Sequence, residues 1–407
     1  MNFKGVLILM ESKYRNILSF VSKQELFELA SELIKIPSYS GLEKQEDEIA
    51  AYMHDYLKKE GIEVSLIEVI KYRPNLIAKI KGLKERPSLM LTGHSDTVPP
   101  YGMNKNSFSG EISGGKLYGR GSCDMKGALA CMIMSLVSIK RSGYNLKGDL
   151  YFAAVINEEL KSEGTEHIVK NGPKTNTAIV GEPTALEIAV GHRGLEWIKI
   201  TVIGKTTHGG TPQSGVNAIS KAAKLINRIE EELIPKFKER KHPILGEPSL
   251  NFGVIKGGDQ PSSVAGKCVI QIDRRWIPGE SLKQVYDELN DLIQKMKNED
   301  KDFNAEIRPY FENSKMMVHK YMEIDSKHLI IKDLSSSIEK ILNRKSKIVS
   351  FPAWTDAALL SNYANIPSVI FGPGNLKNAH SENEFIELEQ LYNAYKIYTL
   401  TSLKYCG

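Results

Sequence analysis

Cysteine is scarce in this 407-residue chain. Its four cysteines, at positions 123, 131, 268 and 406, show no CxxC spacing, which excludes a paired-thiol motif and points to a reducing, cytoplasmic setting. Long apolar runs are absent too. None approaches the roughly 18 residues that a membrane-crossing helix needs, and Gly5-Val-Leu-Ile-Leu-Met10 is too short for the apolar part of a secretory leader. Charge of one sign is also lacking: 54 Lys and Arg face 49 Asp and Glu, a net +5 that is small for this size. The basic stretch from Lys236 to His242 is interrupted by Glu239 and reads as an exposed helix end, not a nucleic-acid surface. There are no internal repeats, low-complexity tracts or long disordered linkers. Neither nucleic acid nor membrane is an expected partner.

A chain of this length buries a large core and predicts two domains. Its 41% hydrophobic and 25% charged residues are ordinary for a soluble globular protein. Ser22-x-x-Glu25 is a capping-box signature that opens a helix through about Ile36. Residues 46–60 read as a second helix closed by Gly61, followed by strands around 62–70, 74–82 and 88–93. A helix over 127–141 begins with Gly127, Ala128 and Ala130, small enough to pack tightly under a sheet. The alternation predicts an α/β fold: a catalytic domain with a mainly parallel central sheet flanked by helices. From about His192 the order changes to strand 195–203, helix 217–233, strands 249–255 and 267–275, helix 281–297 and strand 304–311. That β-α-β-β-α-β order is ferredoxin-like. A helix over 333–343, a strand over 367–371 and a helix over 387–403 then close the chain. The expected organisation is a discontinuous catalytic domain of residues 1–191 and 312–407, with an inserted α+β domain of residues 192–311.

Five segments carry the chemistry: residues 91–100 with His94 and Asp96, residues 119–127 with Asp124, Asn157-Glu158-Glu159, Gly181-Glu182-Pro183-Thr184, and residues 379–384 with His380. Two imidazoles and three carboxylates suit a pair of divalent metals per chain, zinc first, with cobalt or manganese as alternatives. One acid, Glu158, is left over as a base, which completes the parts for metal-assisted hydrolysis of an amide. Asp124, the only acid in its glycine-rich segment, is the natural bridge, and each metal then needs one His and one further carboxylate. His94 and Asp96 share a face of an extended segment, so Asp96 is expected to accept the free ring N–H of His94 and fix its tautomer. An adjacent Glu-Glu is ordinarily a solvated face, and His-x-Asp in a strand is ordinarily structural. Here Glu158-Glu159 follows the apolar run Leu150 to Ile156, His94 follows Ser88 to Thr92, and Glu182 follows Ala178 to Val180. Three candidates at three strand ends point into a crevice, not into open water. Cys123 reads as a small buried thiol. Gly372-Pro373-Gly374, after a buried strand, can offer the N–H groups of Gly372 and Gly374 to a substrate or make a plain turn.

In this order the motifs resemble those of the acetylornithine deacetylase / succinyl-diaminopimelate desuccinylase family, which also holds aminoacylases and glutamate carboxypeptidase. The likeness runs close to full length, from Ile36-Pro37-Ser38 to Glu382-Asn383-Glu384. It implies that His94 and Glu182 bind one metal, that Glu159 and His380 bind the other, that Asp124 bridges them and that Glu158 is the general base. It implies that the inserted domain also forms a homodimer contact, and that His208, in Thr206 to Pro212, meets the tetrahedral oxyanion, reaching the partner subunit's site. Arg275 matches an arginine that grips the substrate carboxylate, a role that guanidinium suits; the alternative is a pair with Asp273 or another acid across the sheet. The expected activity is hydrolysis of the amide of an N-acyl amino acid. A carboxypeptidase or dipeptidase has almost the same site, and Glu182 tilts against the dipeptidases and aminopeptidases, many of which carry Asp there. A non-catalytic binding protein on this fold would have lost a ligand or the base, and none is lost. One departure stands out: the loop Asp259 to Ala265 lacks the Asn that such enzymes often place near the substrate.

Overall fold

The structure, a computed structural model, describes residues 14–103, 107–312 and 315–407. The apolar segment Gly5 to Met10 lies outside the described residues. The chain divides into two compact units: Met1–Gly191 with Met322–Phe351 and Thr355–Gly407, and His192–Tyr321 with Pro352–Trp354. The second unit runs past residue 311 because the chain beyond its last strand stays packed on it. Leu195 donates its N–H to the His319 carbonyl at 2.9 Å, the Tyr321 ring meets Trp276 edge-on at 5.3 Å, and Trp354 stacks on His319 at 3.9 Å.

In the first unit, helix Lys23–Lys35 starts where the Ser22 hydroxyl accepts the Glu25 N–H at 3.1 Å. Leu26, Leu29, Ala30, Leu33 and Ile34 recur at helical spacing and are all buried. The large sheet runs in the order Glu63–Ile70, Arg73–Ile80, Leu150–Val155, Leu89–His94, Thr177–Val180, Ser368–Ile370, Ile188–His192 and Met322–Glu323, with Ile348–Phe351 also on Ile188–His192. Its middle is parallel, from Leu150–Val155 through Leu89–His94 and Thr177–Val180 to Ser368–Ile370. Antiparallel pairs flank that middle on both sides. The parallel strands are fully or almost fully buried, which is why they read as continuous apolar runs. Helix Gly127–Arg141 lies against them, and a Cβ on Gly93 would stand 2.0 Å from the Met125 methyl, so a larger residue there would have to displace that side chain. The stretch Ser122–Arg141, which is kinked at Asp124 and Met125, is long and apolar enough to cross a membrane by length and composition, but its apolar part is buried inside the protein. Its small and apolar residues serve the core.

The second unit is a four-stranded antiparallel sheet in the order Ser249–Gly257, Lys267–Trp276, Gly194–Ile203, Asn304–Pro309, with helices Ala218–Arg228 and Leu282–Glu299. That is the ferredoxin-like arrangement, with the first strand in the centre. Alternate residues Ile198, Ile200 and Val202 of the central strand join Ala222, Leu225, Val285, Leu289 and Ile293 of the helices in one core. Two boundaries differ from the sequence expectation. Past Arg228 the first helix widens at Ile229–Leu233 before a last turn at Ile234–Phe237. In the first unit, helix Leu329–Leu342 starts earlier than residue 333 because the His328 ring accepts the Ile330 N–H at 3.3 Å, a cap the sequence did not advertise.

Candidate metal centre

His94 ends its strand and pairs with Val155, which ends the neighbouring one, while Thr92 pairs with Val180. Glu158-Glu159 and Glu182 therefore leave the same edge of the sheet, beyond the carboxyl ends of parallel strands. Asp124 sits in a wide turn just before helix Gly127–Arg141, in extended backbone at φ −129° and ψ 94°. His380 turns back on left-handed backbone at φ 58°, a conformation that costs a non-glycine residue about 1–3 kcal/mol and tends to be kept where function needs it.

The two oxygens of Asp124 face different imidazoles. His94 Nε2 is 3.0 Å from Oδ1, and His380 Nε2 is 3.4 Å from Oδ2. Each imidazole has a further acid: Glu182 Oε1 lies 3.9 Å from His94 Nε2, and Glu159 Oε1 lies 3.2 Å from His380 Nε2. His94, Asp124 and Glu159, and again His94, Glu158 and Glu182, offer donor atoms that all lie within 4.8 Å of one another. Donors that share one zinc ion, each about 2 Å from it, stand roughly 3.3 Å apart, so these spacings fit a metal. Glu182 Oε1 is moreover buried with no hydrogen-bond partner among the described residues, a cost that a bound cation relieves.

The electrostatics agree with that donor set. Burial, then repulsion from neighbouring carboxylates, pushes Glu158 and Glu182 well above the ordinary carboxylate range, and burial also raises Glu159. Burial works against protonation of the imidazoles, yet the surrounding acids outweigh it: Asp124 and Glu159 lift His380 to about 11, and Asp124, Glu182 and Glu158 raise His94 well above its usual value. Asp124, despite its burial, is held below its ordinary range by His380 and His94. The cluster concentrates negative charge in a dry place and draws in positive charge.

Asp96 does not hold the His94 ring as expected. Its backbone carbonyl is 2.9 Å from His94 Nδ1, while its carboxylate is 3.7 Å away. The carboxylate accepts the N–H groups of Glu158 and Glu159, both at 3.1 Å. Strand alternation put Asp96 on the correct face but could not supply the turn arriving from Val155. That turn has a second support, which the sequence reading missed. Arg73 donates to both oxygens of buried Glu46, at 2.5 and 2.6 Å, and to Asn157 Oδ1 at 2.9 Å, while Asn157 donates its N–H to Glu46. Glu46 had appeared only as the start of a helix, and nothing local marks it as a partner of residues so far along the chain.

The remaining candidates fall differently. The N–H of Gly372 goes to Thr184 Oγ1 at 3.1 Å and that of Gly374 to Gln390 Oε1 at 2.9 Å, so both are used within the protein and not offered to a substrate. Gly374 is needed for packing, since at φ 91° its Cβ would meet Cys123 Sγ at 2.7 Å. In the second unit, Arg275 pairs with Asp273 through Nε and Nη2, at 2.7 and 2.9 Å. Exposed His208 accepts the Gly210 N–H on Nδ1 at 3.1 Å.

Residues 90–404 match the family described as Peptidase family M20/M25/M40. The chain is 30% identical to the N-formyl-4-amino-5-aminomethyl-2-methylpyrimidine deformylase of Bacillus subtilis, with 95% of each chain covered. It is also 30% identical to an acetylornithine deacetylase of Vibrio cholerae, over 92% of this chain and 97% of that one. An M20 family metallo-carboxypeptidase from Sulfolobus solfataricus has the same fold, with a TM-score of 0.80 over 94% of this chain and 99% of that chain at 20% identity. The chain belongs to peptidase family M20/M25/M40 and is a metal-dependent amidohydrolase or peptidase of a family with dinuclear metal centres.

Proposed function

We propose that the protein is a deacylase that hydrolyses the amide of a small N-acyl amine, foremost an N-acyl amino acid. The observation that carries this reading is the placement of Asp124, with one oxygen toward His94 and the other toward His380, and with Glu158 in the same buried cluster. His94 with Glu182, and His380 with Glu159, would hold two divalent ions, zinc by the chemistry of the donors, with Asp124 shared between them. When bound, such a pair polarises the amide carbonyl and lowers the pKa of the attacking water. Glu158 takes the proton of that water and delivers it to the leaving nitrogen, so that the C–N bond is exchanged for C–O and the products are a carboxylic acid and a free amine. Asp96 keeps Glu158 and Glu159 in register by holding both of their N–H groups.

Two relatives that match nearly the whole chain are named for removing a formyl and an acetyl group, which favours a small acyl group on a primary amine over a peptide. His208 as donor to the oxyanion, Arg275 as grip for a substrate carboxylate, a homodimer and a cytoplasmic setting belong to the same reading and rest on the resemblance of the motifs. The test is a mass-spectrometric screen of the zinc- or cobalt-loaded enzyme against pooled N-formyl and N-acetyl amines, N-acyl amino acids and dipeptides. Release of free amine from the acylated pool is expected. Turnover confined to dipeptides, or loss of carboxy-terminal residues from longer peptides, would establish the peptidase alternative.

A further inference from the structure

Asp124 can serve two metals only if its carboxylate is held between His94 and His380, and its backbone there is extended and not helical, at φ −129° and ψ 94°. The restraint comes from Glu384. Its carboxylate is buried to 1% exposure, and Oε1 accepts two consecutive N–H groups, Cys123 at 2.9 Å and Asp124 at 3.1 Å. Oε2 takes Arg120 Nη1 at 2.5 Å, and Arg120 is equally buried. The Glu384 carbonyl accepts the Gly119 N–H at 3.1 Å, and Arg120 donates its own N–H to the Ser107 carbonyl at 2.7 Å. Glu384 thus ties the segment that carries Asp124 to the segment that carries His380. The motif mirrors Asp96, whose carboxylate likewise accepts the consecutive N–H groups of Glu158 and Glu159. A buried carboxylate satisfied by two backbone N–H groups and a guanidinium is a fixed reference point, because moving it would leave a charge unpaired in a dry interior.

We propose that Glu384, anchored by Arg120, is a positioning residue of the dinuclear centre, which sets the Asp124 peptide against His380 and so governs the second of the two metal-binding steps. This rests on the metal reading above. The test titrates metal-free protein with zinc by calorimetry and with cobalt(II) by visible absorption, for wild type, Glu384→Gln and Arg120→Lys. Glu384→Gln keeps the volume but must turn its amide N–H₂ either toward the guanidinium or toward the two backbone N–H groups, so one of the two contacts is lost. Its second metal-binding step should weaken about 10–100-fold, with an altered cobalt spectrum, as removal of such supports commonly does. Leu289→Ala, in the core of the second unit, lowers stability without touching this network and should leave both steps and the spectrum unchanged. Wild-type protein that binds fewer than two ions would defeat the dinuclear reading itself. Wild type binding two, with folded Glu384→Gln showing unchanged affinity and spectrum, would overturn the role of Glu384 alone. Should Glu384→Gln fail to fold, Arg120→Lys decides: it keeps the buried charge but cannot place a donor where Arg120 Nη1 meets Glu384 Oε2, so about tenfold weaker binding supports the inference and wild-type affinity overturns it.

Discussion

Arg274 in the second unit and Asp124 in the first are both buried charges, but their surroundings differ in balance. Arg274 donates to Glu280 at 2.7 Å and lies over the Phe237 ring, Glu280 also receives Arg240 at 2.8 Å, and Arg240 reaches Glu288 at 2.5 Å. Two cations meet two anions, and the Ile277 N–H takes another Glu280 oxygen. Around Asp124 the count is lopsided: Glu158, Glu159 and Glu182 join it against the two imidazoles of His94 and His380. A balanced buried cluster holds a domain together. One with surplus negative charge costs stability and is explained by what it binds.

The largest expected effect breaks the lopsided side at its base. Glu158→Gln keeps size and polarity but cannot take a proton, so turnover should fall about 10²–10⁴-fold while elemental analysis still finds wild-type metal content. Equal loss of metal in Glu158→Gln and Glu159→Gln would show that Glu158 is a ligand and not the base.

On the balanced side, Arg274→Met leaves Glu280 buried beside a single remaining arginine. Urea unfolding should show a loss of about 3–5 kcal/mol, with metal binding by the folded protein unchanged. A variant as stable as wild type would mean that the pair contributes nothing net. Arg275→Met sharpens the contrast between structural and substrate-binding charge. Asp273 already occupies one edge of Arg275 and also accepts the Trp197 N–H at 3.2 Å. A substrate carboxylate would therefore add only one charged contact, and KM for acid substrates should rise about tenfold with kcat little changed. The matching amides should be unaffected, and equal losses on both would make Arg275 purely structural.

The smallest effect is a pH dependence of the second unit. Burial, then the Arg275 charge, depresses His319 to about 4 from its ordinary 6.5. Between those values the unfolded chain binds more protons than the folded one. The stability that neutral His319 contributes is thus complete above about pH 6.5 and is lost as pH falls toward 4. Partial exposure limits the loss to about 1–2 kcal/mol. Denaturant titrations at pH 7 and pH 5 should show it in wild type and not in His319→Phe. An identical slope in both would assign the acid sensitivity to other groups.

Most residues of the cluster were legible because they stand just after an apolar run or in a glycine-rich segment, so chain position alone put His94, Glu158-Glu159 and Glu182 at strand ends, while His380 was legible only through the resemblance of its motif. Their supports were not. Glu46 and Arg73 look like ordinary surface charges in the sequence, Arg120 and Glu384 stand in the motif segments without a role of their own, and their partners lie 27 to 264 residues away. Asp96 shows the limit most clearly: the two-residue period placed it beside His94, yet its carboxylate serves the turn that arrives from another strand.

By itself, the sequence determined the alternation of helices and strands, the ferredoxin-like order of the second unit and which imidazoles and carboxylates to expect beyond the strand ends. Those follow from local periodicity, capping and residue chemistry, which act over a few positions. Only the tertiary structure decided that Gly372 and Gly374 spend their N–H groups on Thr184 and Gln390, that Arg275 faces Asp273, and that Asp124 is gripped through Glu384. Hydrogen bonds between distant segments depend on where each backbone arrives in space, and a buried carboxylate takes whichever donors the packed chain leaves beside it.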